Sequence, residues 1–358
     1  MSNILLYIDS MQKGGAQRVM SVIAENLIKA GVGVTLVNDI IPVEGVPEYD
    51  LPSEVNRVFL DDNNIRFIKR KNLHRIVKLR KILRSKDYEC VLSFLGPPNI
   101  RMLVASIGIP IRKVVSVRND PSVEYGVGLK RFFLKQLFRF ATLTVFQTED
   151  ASKCFPLSVR RRSTIIPNPV NEGFYKVEWT GEGLDIIAVG RLQPQKNYEL
   201  LIKAFSLIAG TFPDTDLVIC GEGPLRDYLE EMCVTLGIEN RVHFLGLVAD
   251  VNSQLIKSKV FVLSSDYEGM PNSMMEAMAA GVPVISTDCP CGGPRELTCS
   301  GEYGILVPCN DAVALSEAMK KMLISKEELV KYHKLSKERA ADFNTEKILK
   351  RWFEALKI

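Results

Sequence analysis

The sequence predicts an α/β protein made of two parallel-sheet domains, and three observations carry that prediction. At 358 residues the chain is longer than one hydrophobic core comfortably serves. Strand-like apolar runs alternate with amphipathic helix-like stretches from one end to the other, the pattern of repeated βαβ units. That alternation breaks once, at residues 165–183 ("IIPNPVNEGFYKVEWTGEG"), which have two prolines, three glycines and no sustained period.

The strands come first. In the first half, residues 3–9, 32–38, 89–95, 112–117 and 142–148 are runs of apolar and β-branched residues. In the second half the same pattern recurs at 184–190, 215–221, 242–246, 259–264, 282–287 and 303–308. Runs of this kind, bounded by Gly, Pro and Asp, belong to strands covered by helices on both faces. Between them lie helical stretches such as Ala16–Ala30 and Asn99–Ile107. The last segment, Asn344–Ile358, is an amphipathic helix with Ile348, Leu349, Trp352, Phe353 and Leu356 on one side. The expected division is therefore 1–168, 169–343 and a terminal helix, 344–358. Two doubly wound domains joined in this way are expected to face a cleft lined by the C-terminal ends of their strands.

Composition narrows the class. Hydrophobic residues make up 46% and charged residues 25%, values that leave little room for extensive disorder. No run approaches the roughly 18–20 uncharged apolar residues of a membrane-spanning helix. The N-terminus reads as a first strand rather than a secretory signal, so a cytoplasmic location is expected. Of the eight cysteines only Cys289 and Cys291 are close, and no pair sits at zinc-ligand spacing, so reduced structural thiols are expected. The net charge of +4 hides an asymmetry. Residues 1–178 hold 27 Lys+Arg against 17 Asp+Glu, whereas residues 179–358 hold 19 against 25. A basic first half beside an acidic second half implies that the two meet different partners.

Chemistry concentrates in the second half. In "SSDYEGMPNSMMEAMAAGVPVIST", residues 264–287, a strand ends, a polar loop follows, and a helix opens near Asn272. Pro271 and Asn272 suit a helix start, whose free amides can hold phosphate oxygens. Glu268 precedes that helix and Glu276 follows its start, so the two carboxylates can grip hydroxyl-rich groups on either side of a diphosphate. Gly190, Arg191, Lys196 and Asn197 follow another strand, where the two cations can neutralise a pyrophosphate. Gly221, Gly223 and Pro224 mark a third strand-to-helix turn open to close approach of a ligand, and Gly292, Gly293 and Glu296 a fourth.

This order of segments resembles the retaining family 4 glycosyltransferases, whose fold is the two-domain GT-B arrangement of Rossmann-like domains. The resemblance covers nearly the whole chain, and its specific part is "EGMPNSMMEAMAAGVPVIS", which matches the family's pair of glutamates eight positions apart. It implies that Glu268 faces the donor sugar and Glu276 binds the ribose. Backbone amides of Gly269, Met270, Pro271, Asn272 and Ser273, with proline contributing only its place in the turn, would surround the diphosphate. Arg191 and Lys196 look like the family's basic pair, and "VHFLG", with His243, like the strand and turn lining the nucleobase. "GGAQR", with Gly15, is similar to the glycine-rich first turn of the acceptor domain. The terminal helix is similar to the segment that crosses back onto the N-terminal domain. One position departs from the pattern: where many members carry a histidine after an N-terminal-domain strand, this chain has Arg118, Asn119 and Asp120. Arg118 could bind a leaving phosphate or an acceptor hydroxyl, or pair with Asp120 or Glu124.

Two basic segments remain. Residues 66–86 contain ten Lys+Arg, and "LKRFFLKQLFRF", residues 129–140, mixes four basic residues with Phe132, Phe133, Phe138 and Phe140. Cationic amphipathic helices of this kind lie on anionic membranes or present a solvated basic face; no nucleic-acid module is recognisable. The expected activity is transfer of a hexose or N-acetylhexosamine from a nucleotide-diphosphate sugar, UDP-linked, to a lipid-linked saccharide. No cofactor or metal is expected. The alternatives are a nucleotide-sugar 2-epimerase and a catalytically silent sugar-nucleotide-binding subunit. Against a dehydrogenase, neither "GGAQRV" nor "GEGPLR" supplies G-x-G-x-x-G.

Overall fold

The computed structural model describes residues 2–61, 68–126, 128–183 and 185–358; Arg66 and Phe67, which open the first basic segment, lie outside them. The chain divides into two compact units, one of Met1–Asn168 with Ile348–Ile358 and one of Pro169–Lys347.

The first unit holds seven strands: β1 (Asn3–Ile8), β2 (Gly33–Asn38), β3 (Asn56–Phe59), β4 (Cys90–Phe94), β5 (Arg112–Ser116), β6 (Leu143–Phe146) and β7 (Ser163–Ile165). They form one parallel sheet in the order β3-β2-β1-β4-β5-β6-β7. The central strands are predominantly apolar because helices cover both faces, and every residue of β4 is buried. The sequence reading found five of these strands and missed β3 and β7. Those two are edge strands of four and three residues, with a single partner each and no buried position, so they need no apolar run.

The second unit holds β8 (Asp185–Val189), β9 (Leu217–Cys220), β10 (Val242–Gly246), β11 (Ser258–Leu263), β12 (Val284–Thr287) and β13 (Ile305–Val307). Its sheet is also parallel, in the order β10-β9-β8-β11-β12-β13. Both orders run outward from a central strand, turn back and run out on the other side. Each therefore has a switch point, β1/β4 in the first unit and β8/β11 in the second, where adjacent connections leave in opposite directions.

The terminal helix, Thr345–Leu356, is cut by the boundary, and from Ile348 onward it belongs to the first unit. Ile348, Leu349, Trp352, Ala355 and Leu356 join the core of that unit. Trp352 lies 5.4 Å from Phe94, centroid to centroid, and the Arg112 guanidinium donates to the Ala355 carbonyl at 3.0 and 2.8 Å. Apolar residues spaced three and four apart thus complete a core begun more than 300 residues earlier.

The two basic segments fold as helices with different surroundings. On Ile68–Ser85, several cations are used internally: Arg75 pairs with Asp61 at 2.7 Å, Lys78 donates to the Leu60 carbonyl, and Arg80 donates to those of Ala105 and Ile107. On Gly128–Leu137 and the 3-10 turn Phe138–Phe140 only Phe138 and Lys135 are buried, and Leu129, Phe132, Phe133 and Phe140 are exposed. Among the described residues no helix is long and apolar enough to cross a membrane.

Candidate active site

In the second unit the loop after β8 and the loop after β11 meet at the switch point. They are tied together by their own backbones and side chains. The Asp266 amide donates to the Gln195 carbonyl at 2.9 Å, and Ser264 Oγ donates to the Lys196 carbonyl at 2.9 Å. Gln195 Nε2 returns a bond to the Tyr267 carbonyl at 2.9 Å. Asn197 takes up a left-handed conformation, caps the helix Tyr198–Ser206 through the Leu200 amide, and donates to Asp266 at 2.7 Å. Asparagine is one of the few residues that tolerate this conformation and can cap at the same time.

These ties bring Lys196 onto Glu268. Lys196 Nζ lies 2.5 Å from Glu268 Oε1, and the same oxygen accepts from Ser265 Oγ at 2.8 Å. Glu268 is 7% exposed, and the side chains of the pair keep 17% and 9% of their surface. A nearly buried carboxylate of this kind is tolerable only because a cation and a hydroxyl satisfy it. Arg191, in the same loop, is exposed and has no ion-pair partner among the described residues.

Gly269, Met270 and Pro271 lead from Glu268 into the helix Asn272–Ala279, whose N-cap residue, Pro271, makes no side-chain capping bond. A helix start carries about half a positive charge, directed here along the C-terminal edge of the sheet. The approach is tight: a Cβ on Gly293 would stand 2.0 Å from the Gly269 carbonyl oxygen. Glu276, on the same helix, is buried, as is Met270.

Gly221 and Gly223 meet a different constraint from the one expected. A Cβ on Gly221 would lie 1.9 Å from the Gly190 carbonyl oxygen, and one on Gly223 would lie 2.3 Å from that of Leu192. Leu192 N–H donates to the Glu222 carbonyl at 2.9 Å, so the turns after β8 and β9 lie backbone against backbone. The missing side chains admit the neighbouring turn. Gly190 is the crossing point, its carbonyl also accepting from the Tyr198 hydroxyl at 3.0 Å.

Three further residues singled out from sequence have the following surroundings. His243 is the second residue of β10, so it lies at the N-terminal end of its strand, opposite the edge that carries Lys196 and Glu268. Its Nε2 is 2.7 Å from Asp216 Oδ2, and Arg241 Nε bonds the other oxygen at 2.6 Å. Burial works against the Asp216 carboxylate, but the bonds from Arg241 and His243 hold it below the ordinary range. The resemblance located the strand correctly; parallel geometry puts its other end, Gly246, beside Gly221. Gly15 is the first residue of the helix Gly15–Lys29, in the first unit.

Arg118 also belongs to the first unit, beyond β5, and is nearly buried. Its guanidinium stacks 4.7 Å above the Phe94 ring, faces Trp352 at 6.0 Å, and donates through Nη2 to Asn168 Oδ1. It pairs with neither Asp120 nor Glu124. Among the described residues Nε and Nη1 have no hydrogen-bond partner, and burial pushes the group down to about 9. In this fold Arg118 is a packed residue beneath the terminal helix. Sequence reading could not detect that cover, because Trp352 is 234 positions away.

Glu124, which the sequence offered only as a partner for Arg118, has surroundings of its own. Its Oε1 accepts from the Gly96 amide at 2.6 Å, at the start of the helix that follows β4, while Oε2 is buried with no hydrogen-bond partner among the described residues. Burial pushes this carboxyl up to about 7. No local pattern announces it, since "SVEYG" reads as an ordinary turn.

Two parallel sheets with the same strand order, a switch point carrying a lysine–glutamate pair, and a helix start beside it define a class. The chain has the GT-B architecture and is a glycosyltransferase. Residues 172–339 match the family described as glycosyl transferases group 1. It is 29% identical, over 97% of both chains, to a Campylobacter jejuni enzyme, the N-acetylgalactosamine-N,N'-diacetylbacillosaminyl-diphospho-undecaprenol 4-alpha-N-acetylgalactosaminyltransferase. A second transferase of that organism, an alpha-1,4-N-acetyl-D-galactosaminyltransferase acting on a GalNAc-containing diphospho-undecaprenol glycan, is 27% identical over 99% of this chain and 98% of its own. Among solved structures, Anabaena HepE in complex with UDP and glucose superposes with a TM-score of 0.82 at 18% identity, covering 99% of each chain; it shares the fold.

Proposed function

We propose that this chain moves a hexose or N-acetylhexosamine, with retention of configuration, from a UDP-linked sugar to a lipid-linked saccharide. The product would feed a cell-surface polysaccharide, such as capsule or lipopolysaccharide, or another glycan. The observation that carries the proposal is the Lys196–Glu268 pair beside the start of the helix Asn272–Ala279. Breaking the bond between the anomeric carbon and the diphosphate leaves the electron pair on a phosphate oxygen and positive character on the sugar. Lys196, Arg191 and the helix start meet the first charge, and Glu268 faces the second and orients the ring. Charges fixed before the reaction need no reorganisation during it, which is the main source of rate enhancement in such sites. Glu276 would hold the ribose.

The Campylobacter relatives, named for undecaprenol-linked acceptors, support a lipid-linked acceptor, and the UDP complexes of HepE support a UDP donor. With an acceptor of that kind the protein works as a peripheral protein at an anionic membrane face. Its exposed Leu129, Phe132, Phe133 and Phe140 support that reading. The two basic side chains take the place of a divalent ion, so no metal is needed. The test is a thermal-shift panel of UDP-glucose, UDP-N-acetylglucosamine, UDP-N-acetylgalactosamine and GDP-mannose, each with and without EDTA. One UDP sugar at a hundred times its Kd should stabilise the protein by about 2.7 kcal/mol, with or without chelator. No shift with any UDP sugar, or a turnover that chelation abolishes and manganese restores, refutes the reading.

A further inference from the structure

The first unit carries a second basic feature, away from its switch point. Along the outer edge of β7, which has no strand partner beyond it, lies a pocket of 570 Å³. Glu149, Ser152, Arg160, Arg161, Thr164 and Arg351 are among the residues that line it. Arg351 reaches in from the terminal helix and donates to the Ile165 carbonyl on the free edge of β7. Arg160 and Arg161 are exposed. None of the three guanidiniums has an ion-pair partner among the described residues, and Glu149 is the one carboxylate in the lining. A concave site with three unneutralised forks suits a phosphate group, which guanidinium matches in shape as well as in charge.

Its rim identifies the phosphate. Leu157 opens the helix Leu157–Arg160 and is 57% exposed at the pocket edge. That helix packs on the turn Phe138–Phe140, and Arg162 donates to the Arg139 carbonyl at 2.8 Å, so pocket and turn form one surface. The surface continues through Phe140 to the helix Gly128–Leu137, where Phe132 and Phe133, 57% and 64% exposed, contact each other edge to face at 5.7 Å. A soluble phosphate needs the arginines and has no use for bare aromatic rings. A bilayer interface uses both, taking the rings at headgroup depth and the cations on the phosphates.

We infer that the pocket between the helix Leu157–Arg160, β7 and Arg351 clasps the headgroup phosphates of an anionic phospholipid bilayer, with the neighbouring phenylalanines inserted beside it. The inference rests on the membrane contact proposed above and gives that contact a site. It also moves the main contact away from the helix Ile68–Ser85, several of whose cations bond within the unit.

The experiment is flotation of the full chain with vesicles of pure phosphatidylcholine and with vesicles carrying phosphatidylglycerol. Wild type is compared with Arg160→Ala/Arg161→Ala and with Phe132→Ser/Phe133→Ser. Wild type should float with the anionic vesicles only, and 1 M salt should release it. Each arginine near an anionic surface is worth about fivefold in partitioning, so the arginine pair should weaken binding about 25-fold. The phenylalanine pair should weaken it too, and all variants should keep the wild-type melting temperature and transfer to a short soluble acceptor. If wild type floats and the arginine variant floats equally well, the pocket is not the site, while the membrane reading survives through another surface. Failure of wild type to bind anionic vesicles overturns both. Inorganic pyrophosphate is the last arm: a melting shift in wild type that the arginine variant loses, without vesicle binding, identifies a site for soluble phosphate and overturns the lipid assignment.

Discussion

Lys196→Ala tests the candidate site most directly, because it affects stability and donor binding through different terms. Removing the ammonium leaves Glu268, 7% exposed, with the Ser265 hydroxyl at 2.8 Å as its remaining side-chain donor. Breaking a buried pair from one side costs roughly 3–5 kcal/mol, and the residual exposure of this pair favours the lower end, about 3 kcal/mol. Glu268→Gln is milder, about 1 kcal/mol, since the lysine side chain, 17% exposed, can turn toward water. The double variant, with neither charge, should cost about 2 kcal/mol, so the coupling between the two changes is about 2 kcal/mol. The chain has two tryptophans, Trp179 in the second unit and Trp352 in the first. Urea unfolding in a Trp352→Phe background, followed by Trp179 fluorescence, therefore reports on the unit that carries the pair. Donor affinity is read on the same samples by calorimetry. Loss of a charge-assisted bond to the diphosphate should weaken it by roughly 10- to 150-fold, from about 1.5–3 kcal/mol. Stability changes that add within about 0.5 kcal/mol would show that the pair is not coupled in solution. Unchanged donor affinity in Lys196→Ala would show that the lysine does not meet the diphosphate.

Three further outcomes follow from the geometry. Burial raises the Glu124 carboxyl from 4.5 to about 7, so between those values the folded chain holds a proton that the unfolded chain has lost. Stability must then fall as pH rises through that window, by on the order of 3 kcal/mol, and stay level above it. Glu124→Gln should remove the slope and raise stability at neutral pH; a wild type of constant stability from pH 4.5 to 7, by Trp352-monitored urea unfolding, contradicts this. Gly221→Ala places a methyl group 1.9 Å from the Gly190 carbonyl oxygen and should destabilise the second unit by more than about 2 kcal/mol, with donor binding lost. A soluble variant with wild-type melting would show that the two turns can separate. Trp352→Ala should cost the first unit about 3–5 kcal/mol as a large core truncation, and Trp352→Phe much less; equal costs would mean that the ring's volume is not what the core uses.

Periodicity alone was enough for most of the architecture. The apolar runs that became β1, β2, β4, β5 and β6 and the inner strands of the second unit, β8, β9, β11 and β12, are visible in sequence because strands covered on both faces are apolar along most of their length. Edge strands, with one neighbour and an open side, meet no such demand: β10 and β13 keep an apolar run, and β3 and β7 do not. The motif around Glu268 was equally legible: a helix start after a strand end is local, and so is the eight-residue spacing of two glutamates on either side of it.

Tertiary structure decided what depends on distant neighbours. Lys196 and Glu268 are 72 positions apart and become a pair only because the switch point sets the ends of β8 and β11 side by side. His243 leaves the site because parallel strands fix which end of β10 faces it. The glycines of the β9 turn prove to answer to a crossing backbone, and Arg118 and Glu124 owe their character to burial by residues far along the chain. Sequence by itself determined which residues could be strand, helix start or charge, because those preferences reside within a few bonds. Which charges meet, which are covered and which stay bare was decided by packing, where a group's dielectric surroundings are supplied by residues it cannot specify.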